Sequence, residues 1–208
     1  MVNCTKPILF STEMVQALLE GRKAVTRRDP FQMPPDYTIL KGLYRDGKRR
    51  LCAIFRADDD PTTEAVYARY DIGDILWVRE TWCESLGQAG IYFYRAYAGP
   101  KDEMKEYAHS FNRWRPNIHM PREAARIFLR VTGVRVERLR DMVLGDVLME
   151  GITEADTYES TWDRWHQTWN STIKPKDLGS YGWEANPWVW VISFDRIDKP
   201  ADWGCTKS

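Results

Sequence analysis

The sequence predicts an α+β chain dominated by short strands: a small, mostly β barrel with helices packed at its openings. Three observations carry this. About seven segments space their apolar residues as strands do, and only three or four short ones keep helical spacing. No regular strand–helix–strand rhythm runs along the chain, which argues against a doubly wound parallel sheet. The 208 residues, 43% of them hydrophobic, suffice for one sizeable core, so a single domain over 1–208 is expected.

Each element has its own signal. Ile8-Leu9-Phe10 reads as a short strand. Ser11 caps the following helix, Glu13 suits its first turn, and Met14, Ala17 and Leu18 share a face beside Val15 and Leu19. Gly21 stops that helix, and Arg22–Arg28 turn into a strand. Pro30, Pro34 and Pro35 mark a loop. Tyr37–Arg45 and Lys48–Phe55 flank Asp46-Gly47, a strong signal for a two-residue hairpin with a basic tip. Asp58-Asp59-Asp60-Pro61 opens another loop, with a short helix expected over Thr63–Tyr70.

Gly73-Asp74 turns into a strand over Ile75–Thr81. Residues 84–120 read as an insertion holding a strand, Ile91–Tyr97, a polar loop from Gly99, then Trp114-Arg115-Pro116. Arg126–Leu139 is a long strand whose apolar parity changes, with Ile127, Leu129 and Val131 odd but Val134 and Val136 even. Gly133 sits at that change and predicts a bulge or a barrel corner. A short helix ends at Glu150, with Gly151 as its stop. Tyr158, Trp162, Trp165 and Trp169 share a helical face, which core packing explains. Beyond the loop 170–186, Trp188, Trp190, Ile192 and Phe194 alternate as a final strand.

Composition excludes several classes. Thirty basic groups balance thirty acidic ones, so the chain is not globally basic. The charges come in blocks: net +6 over 1–57, −6 over 58–112, +6 over 113–140 and −6 over 141–208. Every basic residue of 113–140 is arginine, suited to phosphate and base edges. Pairing of opposite blocks across the fold explains the pattern equally well. No apolar run approaches the roughly 20 residues of a membrane span. Ile8–Phe10 is too short for a signal peptide. Cys4, Cys52, Cys83 and Cys205 are scattered singly, as reduced thiols of a cytoplasmic protein would be.

Familiar catalytic motifs are missing. The sequence has no Gly-rich phosphate loop, no Gly-x-Ser-x-Gly elbow and no His-Glu-x-x-His. His109, His119 and His166 stand apart from one another and from the cysteines, so no metal site and no cofactor are expected. What remains is Gly21-Arg22-Lys23-Ala24-Val25-Thr26-Arg27-Arg28. This segment resembles the G-x-K-x-x-T/E-x-R signature of the ASCH family, relatives of the PUA RNA-binding domains. Gly73–Trp82 is similar to that family's second conserved strand. Leu139–Met142, with Asp146 and Glu150-Gly151-Ile152, resembles its helix before the last strands. Asn186–Val191 resembles a large branch found in phage and prophage genomes.

The resemblance implies a PUA-like barrel with a cleft where these landmarks converge, lengthened by insertions at about 29–72 and 84–120. It implies a nucleoside or single-stranded RNA as partner, in the cytoplasm of a bacterial host. Short members similar to this chain hydrolyse the acyl amide of N4-acetylcytidine with a lysine, a threonine and a glutamate. Those map onto Lys23, Thr26 and Glu150. Other ASCH proteins bind or cleave RNA, so a non-catalytic RNA-binding module and a ribonuclease stand as alternatives.

The residue chemistry suits that trio. A threonine hydroxyl needs a base, and a neutral lysine can serve once burial or neighbouring cations such as Arg22, Arg27 and Arg28 lower its pKa. Glu150 would then orient the lysine or protonate the leaving amine. Positions 23 and 26 have opposite strand parity, so they share a cavity only if Lys23 lies in the turn before the strand. Otherwise Lys23 is a solvated helix-end charge. Arg22, Arg28, Trp77, Arg79, Glu80 and Trp82 are the expected substrate-binding residues: an exposed ring would stack on a base, while Arg79 and Glu80 would read a pyrimidine edge or form structural salt bridges.

Overall fold

The computed structural model describes residues 5–28, 38–57, 61–97, 113–153, 157–201 and 203. In chain order it runs β1 (Thr5–Leu9), α1 (Thr12–Leu19), β2 (Val25–Arg28), β3 (Ile39–Arg45), β4 (Leu51–Arg56) and β5 (Thr63–Tyr67). Next come β6 (Ile75–Arg79), β7 (Trp82–Glu84), β8 (Tyr92–Tyr94) and the long β9 (Phe128–Arg138). Three helices, α2 (Leu144–Met149), α3 (Tyr158–Ser171) and α4 (Leu178–Tyr181), precede β10 (Trp188–Ile197). The chain is mixed α+β and richer in strands than in helices. The expected barrel is corrected: among the described residues β1 pairs only with β6 and β2 only with β10, whereas closure needs two neighbours for every strand.

The chain folds into two compact units, each assembled from segments distant in sequence. The first comprises Met1–Arg22, Gly73–Arg130 and Asp195–Ser208; the second comprises Lys23–Ile72 and Val131–Phe194.

In the first unit β1 lies parallel to β6 from Thr5↔Ile75 to Leu9↔Arg79. The start of β9 pairs antiparallel on the other side of β6, Leu76 opposite Leu129. That central position explains why Ile75, Leu76, Trp77 and Val78 are all buried. Ser11 Oγ accepts the Met14 N–H at 3.3 Å, and α1 buries Val15, Ala17 and Leu18. Gly21 leaves the helix at φ +75, a conformation that glycine adopts without a Cβ clash. The strand expected over Ile91–Tyr97 is shorter. β8 stops at Tyr94, whose hydroxyl donates to the Ala124 carbonyl at 2.6 Å, and Arg95–Tyr97 tighten into a 3₁₀ turn.

In the second unit β10 pairs antiparallel with β2, Ile192 opposite Thr26, and neighbours β9 on its other side. Along β9, Phe128, Leu129 and Val131 are buried, whereas beyond Gly133 Val134 and Val136 are only half-buried and Arg135 between them is exposed. Gly133 lies where full burial ends, and a Cβ there would stand 3.6 Å from Ser193. Trp165 and Trp169 of α3 pack with Val25, Val147, Val189 and Val191 into the unit's core.

Two expectations fail in the second unit. The β3–β4 connection is not a two-residue turn. Asp46 accepts the Lys48 and Arg50 N–H groups at 2.9 and 2.8 Å, and Arg49, at φ 63, takes the left-handed conformation that the Asp-Gly pair was expected to supply. The helix expected over Thr63–Tyr70 is strand β5, pairing with β4 from Arg56↔Thr63 to Cys52↔Tyr67. Backbone groups on the open edge of β4 need partners, and Thr, Val and Tyr side chains suit a pleated surface better than a short helix. Pro30, Pro34, Pro35, Asp58–Asp60 and the loop from Gly99 to Asn112 lie outside the described residues.

Candidate functional site

Lys23 and Ala24 lead the chain into β2 and are pinned from two sides. Ala24 donates its N–H to Met149 O at 2.9 Å and accepts the Phe194 N–H at 3.0 Å. Lys23 itself forms an isolated antiparallel bridge with Glu150, the residue capping α2, after which Gly151 reverses the chain at φ +91. Two residues 127 positions apart thereby meet. The Lys23 ammonium donates to Glu150 Oε2 at 2.7 Å, to the Glu150 carbonyl at 2.7 Å and to the Val25 carbonyl at 2.9 Å. Their side chains are 0% and 2% exposed.

The pair belongs to a larger network. Arg27, two positions beyond Val25 on the same face of β2, sends Nη1 to Glu150 Oε1 at 3.2 Å. Its Nε and Nη2 donate to Glu137 Oε1 at 2.9 and 2.6 Å, and Asp146 stands 3.4 Å away. Arg135 closes the set on the other oxygen of Glu137 at 2.9 Å. Three cations thus face three carboxylates.

Burial pulls the Lys23 pKa below its ordinary 10.5, against the pull of the Glu150 carboxylate. The carboxylates around Arg27 outweigh its burial and raise it. Burial lowers Arg28. Both oxygens of Glu150 accept hydrogen bonds, Oε2 from Lys23 and Oε1 from Arg27. The neighbouring cations Arg28 and Arg27 add to the lowering of Lys23, but less than burial does.

Thr26 is 1% exposed and lies between Val25 and Arg27 on β2, so alternation sends its side chain to the opposite face from Arg27. Lys23 Nζ approaches it through the Val25 carbonyl, whose peptide carries the Thr26 nitrogen.

The expected binding residues divide between the units. Arg28 is in the second, opposite Trp190. Arg22 is in the first and pairs with Glu20 near solvent, 2.5 Å apart. Trp77 is 9% exposed and packs edge-on against Trp203; Trp82 is 3% exposed beside Met120 and Ala124. Neither ring presents an open face, because the cores of the first unit use both. Arg79 donates to the Ile118 carbonyl and lies over Trp77. Glu80, raised by burial, receives Arg126 in two hydrogen bonds of 2.9 and 2.7 Å. Arg126 in turn is stacked between Tyr94 and Tyr97, with 4.1 and 4.3 Å to the ring centroids.

Sequence reasoning missed Glu137 and Arg135 as members of the site. Their signal was their place on the even-parity half of β9 beside the landmark Asp146, but strand spacing says nothing about reach across a sheet. Among the described residues no cluster of three or more His, Cys, Asp or Glu is placed to hold a metal. No helix among them is long and apolar enough to cross a membrane. Comparison with family models, curated proteins and solved structures finds no match to this chain.

Proposed function

We propose that this chain is a nucleoside- or RNA-recognising protein of the ASCH type, PUA-like in fold, whose Lys23–Glu150 centre hydrolyses the acyl amide of an N4-acylcytidine. The observation that supports it is the buried contact between Lys23 and Glu150, 2.7 Å apart and 127 residues apart in sequence. In this reading Thr26 attacks the acyl carbon, Lys23 takes the hydroxyl proton and passes it to the departing N4, and cytidine leaves. Water then hydrolyses the threonine ester to release the carboxylic acid. Glu150 orients Lys23 rather than serving as an acid. Lys23 must first lose one proton, and giving up the bond to the Val25 carbonyl would leave both Glu150 contacts in place.

Incubation of the purified protein with N4-acetylcytidine should release cytidine and acetate, measured by chromatography. Because burial lowers the Lys23 pKa from 10.5, the neutral amine gains population at lower pH than in an exposed lysine. The rate should rise with pH along that limb. Lys23→Arg should abolish turnover, since arginine keeps its charge. Equal turnover by Thr26→Ala, or none by the unaltered protein, rejects the assignment. One observation favours a second reading: all three Lys23 protons already have acceptors, which suits a static tie between β2 and α2. On that reading Lys23→Met lowers stability and changes no reaction.

A further inference from the structure

The Arg27 side chain is fully buried, so its protein partners rather than water set its direction. A guanidinium is a rigid planar fork. Its Nε and Nη2 edge closes on Glu137 Oε1 at 2.9 and 2.6 Å, and that grip fixes where the third nitrogen points. The third nitrogen, Nη1, meets Glu150 Oε1 at 3.2 Å. Glu150 Oε2 in turn accepts the Lys23 ammonium at 2.7 Å. The contacts run from Glu137 to Arg27 to Glu150 to Lys23, and each one orients the next.

Glu137 reaches Arg27 from β9. In the sheet β10 lies between β9 and β2, so the contact crosses two strand spacings, roughly 9–10 Å, which takes two long side chains. On its own strand Arg135 donates to the other oxygen, Glu137 Oε2, at 2.9 Å. Lys23, Arg27 and Glu150 are buried, Glu137 is half-buried and Arg135 is exposed, so Glu137 joins the buried centre to the surface. Asp146 also faces Arg27, but at 3.4 Å, and its second oxygen accepts the Val143 N–H at 3.0 Å, which ties it to the start of α2.

We propose that Glu137 is a positioning residue of the Lys23 centre: through Arg27 it holds the Glu150 carboxylate in place against Lys23. Its effect on turnover rests on the hydrolase reading given above; its effect on Lys23 does not. Charge adds to geometry. Burial is the largest cause of the lowered Lys23 pKa, Glu150 at the end of α2 opposes it, and Arg28 and Arg27 of β2 add to it. Neutralising Glu137 leaves the Arg27 charge less balanced, so the Lys23 titration moves to lower pH.

The experiment reads Lys23 directly. In protein whose lysines carry carbon-13 at Cε, the Lys23 signal is assigned by its loss in Lys23→Arg and titrated by NMR without substrate. Glu137→Gln keeps the side-chain length and one accepting oxygen but drops the charge; Glu137→Ala removes both. Each variant should move the Lys23 titration to lower pH by about half a pH unit or more, the lost charge acting from two contacts away. In hydrolysis of N4-acetylcytidine the rising limb of the pH profile should move by the same amount. The plateau kcat should stay within about twofold in Glu137→Gln and fall about tenfold in Glu137→Ala, with KM little changed, because only alanine releases the Arg27 fork. A purely structural Glu137 would lower stability in urea and leave the Lys23 titration and the limb where they are; that result overturns the proposal. So does a Glu137→Ala plateau equal to that of the unaltered protein. Should Glu137→Ala not fold, Glu137→Gln decides alone, an unmoved Lys23 titration rejecting the role. A protein that leaves N4-acetylcytidine intact while its Lys23 titration shifts as expected keeps the positioning role and loses the hydrolase reading.

Discussion

Glu150 is the residue on which the candidate site turns. Its two oxygens hold Lys23 and Arg27, both with fully buried side chains, so removing it strands two cations away from water. Glu150→Ala should therefore cost about 3–5 kcal/mol in urea unfolding, the range for breaking one side of a buried pair. Glu150→Gln keeps the shape and one accepting oxygen, and should cost less. A change of under 1 kcal/mol in the alanine variant would mean that water already reaches the pair. At this scale the meeting of Lys23 with Glu150 was expected from the resemblance of their motifs, but the engagement of every Lys23 proton was not. The Val25 and Glu150 carbonyls that complete the set are backbone atoms, and residue type says nothing of where a backbone oxygen will point.

Among the elements, α3 shows how far periodicity carries. Its aromatic face was readable from spacing, yet the four rings are not equivalent. Trp165 and Trp169 are 3% and 4% exposed, while Tyr158, at the first turn, is 58% exposed. Trp165→Ala should destabilise by about 3–5 kcal/mol and Tyr158→Ala by less than about 0.5 kcal/mol, compared by thermal or urea unfolding. Equal losses would mean that the helix packs along its full length. The β5 segment teaches the reverse lesson. Thr63–Tyr67 has no decisive periodicity of its own, and its state is set by the free edge of β4. Local propensity is weak when a neighbouring strand supplies five cross-strand partners.

Over the whole molecule, several members of the alternating charge blocks pair with one another, some buried and some at the surface. Arginines of 113–140 meet acids from other segments: Arg126 meets Glu80 at 2.7 Å, Arg135 stands 3.6 Å from Asp146, and Arg140 stands 3.7 Å from Glu184. Arg138 donates to the Thr38 and Asn186 carbonyls. With thirty charges of each sign and a pI near 6.8, the protein should be least soluble close to that pH. Turbidity or precipitation scanned from pH 5 to 9 at low salt should show a single maximum there. A maximum displaced by more than about one unit would mean that the folded charge state departs from the composition.

The sequence by itself determined the strand-rich α+β class, the capped helix from Ser11 to Gly21 and the helix stop at Gly151. These depend on nearest-neighbour rules: side-chain periodicity, capping hydroxyls and the backbone freedom of glycine. The tertiary structure alone decided that the sheets stay open, that Thr63–Tyr67 is a strand, that Trp77 and Trp82 are both core, and that Arg27 and Glu137 join Lys23 and Glu150. Each of these depends on which distant groups compete for the same edge, cavity or carboxylate. That competition is resolved only when segments more than a hundred residues apart are packed together, as Lys23 and Glu150 are.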